Sequence, residues 1–219
     1  MKRYLRKDIF LVVMAYSLIM LVLACVEFSV STGDPNILLL EDFSTGIKGW
    51  NIWENADGSG VSYFQGGLAF VINTPQYDYI SLPKGSFTDL RVEVTANKIV
   101  GPDDNDYGII CRYQDAQNYY AFLVTSDGYF GLLKVKDGEY LIMNGEGTLV
   151  ASDAIRKGSD LNQLKADCIG SVLTFSVNEN KLAEVVDTEY STGRVGLMAG
   201  SFENPGVAVL FDNFIVLKP

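Results

Sequence analysis

Arg112, Tyr113 and Gln114 stand just ahead of a polar run, Asp115-Ala116-Gln117-Asn118, which leads into Tyr119. A guanidinium, three amides and two rings so close together suit recognition. Flat rings cover the apolar faces of a ligand, while amide and guanidinium groups meet its hydroxyls. Trp50, Trp53, Tyr63, Tyr77, Tyr79, Tyr107 and Tyr129 could join them, or could equally pack inside a β core.

The acidic residues offer other chemistry. Asp103-Asp104-Asn105-Asp106 gathers hard oxygen ligands of the kind Ca²⁺ takes, with a solvated turn as the alternative. Asp187 and Glu189 share a parity but have no third carboxylate, and are expected at the surface. The chain holds no histidine, which removes Ser-His-Asp and Cys-His catalysis and His-ligated zinc. Its formal net charge of −10 repels phosphate backbones, so nucleic acid is not expected as a partner.

Residues 1–25 read as a signal peptide or membrane anchor. Lys2, Arg3, Arg6 and Lys7 are followed by an apolar run from Ile9 to Val26, the grammar of export. Val22-Leu23-Ala24-Cys25 resembles a bacterial lipobox, which implies lipidation of Cys25. A retained N-terminal helix and simple secretion are the alternatives. Each version places the body outside the cytoplasm, the first two at a membrane. Residues 26–36, with Ser29, Ser31, Thr32, Gly33 and Pro35, read as a tether. With Cys25 lipidated, Cys111 and Cys168 remain as a pair that an oxidising compartment would join. Both lie in strand-like runs, so the bridge would tie two neighbouring strands. Two buried free thiols are the other reading.

Residues 37–219 must position these groups, and they read as β throughout. Leu90, Val92, Val94 and Ala96 alternate with Arg91, Glu93 and Thr95, which puts apolar and polar side chains on opposite faces. Leu173-Thr174-Phe175-Ser176-Val177 repeats the pattern, and Val207–Phe211 is apolar on both faces, as a central strand is. Gln65-Gly66-Gly67, Ser126-Asp127-Gly128, Lys136-Asp137-Gly138 and Asn178-Glu179-Asn180 supply hairpin turns. About a dozen strands at this spacing predict an all-β sandwich of two antiparallel sheets. Its last strand, Val207–Leu217, would lie beside its first, Ile37–Phe43.

Ile37–Phe43 with Trp50, and the closing Phe211-Asp212-Asn213-Phe214-Ile215-Val216, resemble the ends of concanavalin A-like lectin/glucanase domains. Tyr107–Tyr113, Asn118–Phe122 and Gly193–Leu197 resemble inner strands of laminin-G-like and 3-keto-disaccharide hydrolase-like members. The resemblance implies a jelly-roll sandwich with a concave face that often holds sugar. It also implies a structural Ca²⁺ between first and last strands, for which Glu41, Asp42 and Asp212 are the candidates; a strand-end hydrogen bond from Asp212 is the alternative. The Glu-x-Asp-x-x-Glu signature of the retaining glucanases is missing, since Glu93 is followed by Val94 and Thr95. The expectation is therefore a non-catalytic binding module for carbohydrate or another extracellular ligand, with Arg112, Tyr113, Gln114, Asn118 and Tyr119 as contacts. A hydrolase of the 3-keto-disaccharide type and an envelope scaffold lipoprotein remain open.

Overall fold

The computed structural model describes residues 33–44 and 49–219. The signal or anchor segment, its Cys25 and most of the tether lie outside the described residues. Pro35–Pro219 forms one compact unit.

The chain enters with β1 (Ile37–Glu41), β2 (Trp53–Glu54), β3 (Gly60–Phe64), β4 (Gly67–Ile72) and β5 (Tyr77–Ser81). Longer strands follow: β6 (Leu90–Val100), β7 (Asn105–Asp115), β8 (Asn118–Thr125) and β9 (Tyr129–Lys136). Two short strands, β10 (Glu139–Ile142) and β11 (Val150–Ala151), flank a single 3₁₀ turn at Gly145–Gly147. The chain ends with β12 (Asn162–Ile169), β13 (Val172–Val177), β14 (Asn180–Val186), β15 (Arg194–Ser201) and β16 (Val207–Leu217).

These strands make two antiparallel sheets. One runs β14-β13-β12-β6-β16-β4-β3-β2, with β1 added beside β16. The other runs β10-β9-β8-β7-β15-β5, with β11 beside β9. The first and last strands pair as expected, Leu40 opposite Ile215 and Glu41 opposite Phe214. Trp50 closes that corner, edge-on to Phe214 at 5.0 Å. β16 is central, with β6 on one side and β4 and β1 on the other.

Alternation decides which side chains enter the core. Leu90, Val92, Val94 and Ala96 of β6 are buried against Leu164, Ala166, Phe175, Phe122 and Leu132. Period two fails in β7, β8 and β15, which are buried on both faces along most of their length. The cause is a second apolar cluster on the outer face of the seven-stranded sheet. It comprises Leu82, Ile110, Tyr119, Ala121, Leu123, Leu133, Val135 and Met198. The segment after β10 folds over this face, bringing Leu149 against Gly131.

Cys111 and Cys168 form a disulfide. They belong to β7 and β12, one in each sheet, so the bridge spans the sandwich and does not tie neighbours within a sheet.

Candidate functional site

The outer face of the seven-stranded sheet carries a row set by register. Gly200 of β15 lies opposite Asp78 of β5 on one side and Asp106 of β7 on the other. Asp106 lies opposite Thr125 of β8. The neighbouring residues Tyr79, Tyr107, Ala199 and Val124 turn into the core, so alternation sends Asp78, Asp106 and Gly200 outward. Glycine at position 200 leaves the space that both carboxylates use. A Cβ there would stand 2.0 Å from Asp78 Oδ1 and 2.7 Å from Asp106 Oδ1. Both carboxylates therefore crowd the same point above its backbone.

The surroundings of this pair are aromatic and apolar. The Tyr140 hydroxyl donates to Asp78 Oδ2 at 3.2 Å and lies 3.4 Å from the Tyr119 hydroxyl. The Tyr113 and Tyr119 rings stack at 5.8 Å. Two cavities meet here. One, of about 300 Å³, is lined by Asp78 and Asp106 together with Leu123, Leu133 and Ile142. The other, of about 490 Å³, is lined by Tyr77, Tyr113 and Tyr119. Gln76, Asp78 and Tyr140 border both. Tyr77 and Tyr140 are more than half exposed, at 51 % and 55 %, so they form an accessible rim, whereas Tyr119 at 1 % belongs to the floor.

The electrostatics set this pair apart. Burial raises the Asp78 carboxyl above its usual range, although the Tyr140 hydrogen bond pulls it back. Asp106 is pushed well above that range, first by burial and then by the charge of Asp78. Among the described residues no lysine or arginine pairs with either. Two other half-buried acids do have cations: Asp167 has Arg91 at 2.6 Å and Asp187 has Lys134 at 2.6 Å.

The structure divides the expected contact residues. Tyr113 and Tyr119 line the larger cavity. Arg112 does not reach it. It sits at a bulge where β7 loses register with β8 and β15, with φ of 51°. The bulge turns its side chain inward, to 1 % exposure. There its guanidinium donates to the carbonyls of Tyr190 at 2.8 Å, Gly170 at 2.7 Å and Thr88 at 3.4 Å, with Asp89 at 3.6 Å. Gly193 permits this approach, because a Cβ there would meet the Arg112 backbone at 2.4 Å. Gln114 and Asn118 are also fasteners. Gln114 donates to the carbonyls of Arg112 and Thr192. Asn118 donates to Asp115 and accepts from Tyr190 and the Asp137 backbone.

The acidic candidates for Ca²⁺ each have a partner within the protein. Glu41 caps the Phe43 amide, Asp42 accepts from Ser44, and Asp212 accepts from the adjacent Asn213 amide. Asp103 pairs with Lys98, while Asp104 accepts from the Glu203 amide and from Asn204. Among the described residues no three acidic or thiol side chains form a group that could hold a metal. Asp187, expected in solvent, is instead sheltered and accepts from Tyr120 at 2.5 Å and from Lys134. Burial would raise its carboxyl, but those partners hold it below the usual range.

Asp78, Gly200 and Tyr140 carry the site with no motif in the sequence to mark them, and Asp106 stands there only as the last member of the acidic run 103–106. A local signal exists for Asp106, an acid that opens the apolar run Tyr107–Cys111. Its meeting with Asp78 depends on long-range register through β15.

No protein-family profile matches the chain, and no curated protein matches it. Solved structures do share its fold. The carbohydrate binding module CBM66 from Bacillus subtilis superposes with a TM-score of 0.59 at 16 % identity, over 79 % of this chain and 98 % of that one. A protein of unknown function with a galectin-like fold, also from Bacillus subtilis, gives 0.61 at 12 % identity over 84 % and 96 %. The GH43 protein BlXynB from Bacillus licheniformis gives 0.60 at 17 % identity over 82 % of this chain, but only 39 % of its own length. At these identities the likeness shows the fold alone, a sandwich of two antiparallel sheets.

Proposed function

We propose that this chain is a non-catalytic carbohydrate-binding module, held outside the cytoplasm at a membrane by residues 1–25. One observation carries the reading: two exposed tyrosines, Tyr77 and Tyr140, rim a pair of cavities whose shared border holds a carboxylate. Aromatic faces beside a fixed acceptor are what a sugar ring requires, apolar C–H face on one side and hydroxyls on the other. The similarity in fold to a carbohydrate binding module supports the choice of ligand.

The position of the carboxylates favours binding over hydrolysis. Glycosidic cleavage places the sugar bond between two carboxyl groups, at least about 5 Å apart. Asp78 and Asp106 crowd one point above Gly200, which leaves no room for a sugar between them. They form one surface beneath a ligand.

Isothermal titration of the Pro35–Pro219 body against a panel of oligosaccharides tests the reading. Tyr77→Ala and Tyr140→Ala should each weaken binding about fivefold and leave the melting temperature nearly unchanged, since stacking contributes roughly 1 kcal/mol per ring. Absence of binding across neutral, acidic and amino sugars would sink it. For the anchor, Cys25→Ala should abolish lipid labelling in a bacterial host.

A further inference from the structure

Neither Asp78 nor Asp106 forms an ion pair with a lysine or arginine among the described residues. Asp106 is 7 % exposed, and its Oδ1 has no hydrogen-bond partner. Asp78 Oδ1 faces it across Gly200. The cavity above is largely apolar, with Leu123, Leu133 and Ile142 in its wall, so water screens the pair poorly. Two carboxyls packed in such a place keep a proton unless a ligand brings a positive charge that lets both ionise. A neutral diol would give hydrogen bonds but no charge. A divalent ion would need further hard ligands, and among the described residues no third acidic side chain joins the pair. A protonated amine supplies one positive charge and three donors in a group of the right size for two carboxylates. The Tyr140 ring at the rim adds a face that attracts cations.

We propose that the acid pair Asp78–Asp106 is an ammonium-recognising subsite, which makes the ligand an amino sugar with a free, protonated amine. The inference rests on the carbohydrate reading for the rest of the ligand, and on the acid pair alone for the amine. The acidic chain as a whole, at −10, draws cations toward the face.

The test is titration calorimetry on the Pro35–Pro219 body at pH 7 and 0.15 M salt. Four probes are used: the β-1,4-linked glucosamine disaccharide, its N-acetylated counterpart, cellobiose, and n-butylammonium. The free-amine sugar should bind about thirtyfold more tightly than the N-acetylated one, the effect of desolvated charge pairing. Asp78→Asn with Asp106→Asn should erase that preference. Asp153→Asn with Asp160→Asn, which removes the same charge elsewhere on the surface, should keep it. Equal binding of all three sugars would overturn the amine assignment and leave the carbohydrate reading standing. A preference that survives in the Asp78→Asn, Asp106→Asn protein would also overturn it. Binding of butylammonium alone, lost in that variant, would support the ammonium subsite and sink the sugar. The comparison of the first two probes needs no variant, so a folding defect cannot obscure it.

Discussion

Arg112→Ala should cost this protein stability and leave its ligand affinity intact. Two short hydrogen bonds, to the carbonyls of Tyr190 and Gly170, and one long one, to Thr88, end on the Arg112 guanidinium. Hydrogen bonds from a charged donor contribute roughly 1.5–3 kcal/mol each, so the two short ones together stabilise by about 4 kcal/mol. The carbonyls they serve come from three separate connections, after β5, after β12 and before β15. Truncation leaves all three loose as well as unpaired. In a body of this size each kcal/mol moves the melting temperature by about 2–4 °C, which gives a fall of roughly 8–16 °C. Arg112→Lys should recover part of that, since one ammonium cannot reach all three carbonyls in their fixed geometry. Calorimetric melting measures the loss, and titration at 15 °C, with the variant still folded, measures affinity. An Arg112→Ala protein that melts like the parent but no longer binds oligosaccharide would refute the argument and return Arg112 to the ligand site.

The Asp78–Asp106 pair makes a pH prediction. A carboxyl whose proton is held more tightly in the folded state stabilises the fold at acid pH, and that contribution is lost as pH rises through its raised value. Asp106→Asn should therefore be more stable than the parent at pH 7, with the gap closing as pH falls from that raised value toward about 4 and absent below it; urea melts from pH 7 to 3 check it, and a gap that widens toward acid would contradict it. Gly200→Ala should abolish ligand binding, because its methyl would enter the space that the Asp78 and Asp106 carboxylates occupy; retained affinity by titration would count against the site. Replacing both Cys111 and Cys168 by alanine should lower stability by roughly 4 kcal/mol, given the 57-residue separation they bridge. Chemical denaturation of the oxidised parent against the variant measures that loss.

Much of the fold is legible in the chain because alternation is a local property. β6 and β13 show it strictly, and the structure buries the parity it indicates. Strands β7 to β9 resist that reading, since the apolar residues on both faces could equally mark a central strand. Only the second cluster, under Leu149 and Ile142, explains them. The site was legible in part. Tyr113 and Tyr119 announce an aromatic face from their own strands. Arg112 misleads because a bulge reverses its direction, and a bulge follows from pairing with β8 and β15, not from the residues Cys111 to Gln114 themselves. Asp78 and Asp106 are 28 positions apart in order and meet only because β15, from the far end of the chain, enters between them with glycine at the crossing point.

Cys111 and Arg112 are consecutive, and each fastens a different part of the body: the cysteine clasps one sheet to the other, the arginine gathers three loops. In reducing surroundings the first clasp is open, and the chain is correspondingly easier to unravel. If residues 1–25 direct export, as their pattern indicates, the polypeptide would reach the translocation machinery while still pliable. It would then stiffen only after crossing, where oxidation closes the clasp beside a guanidinium already in place.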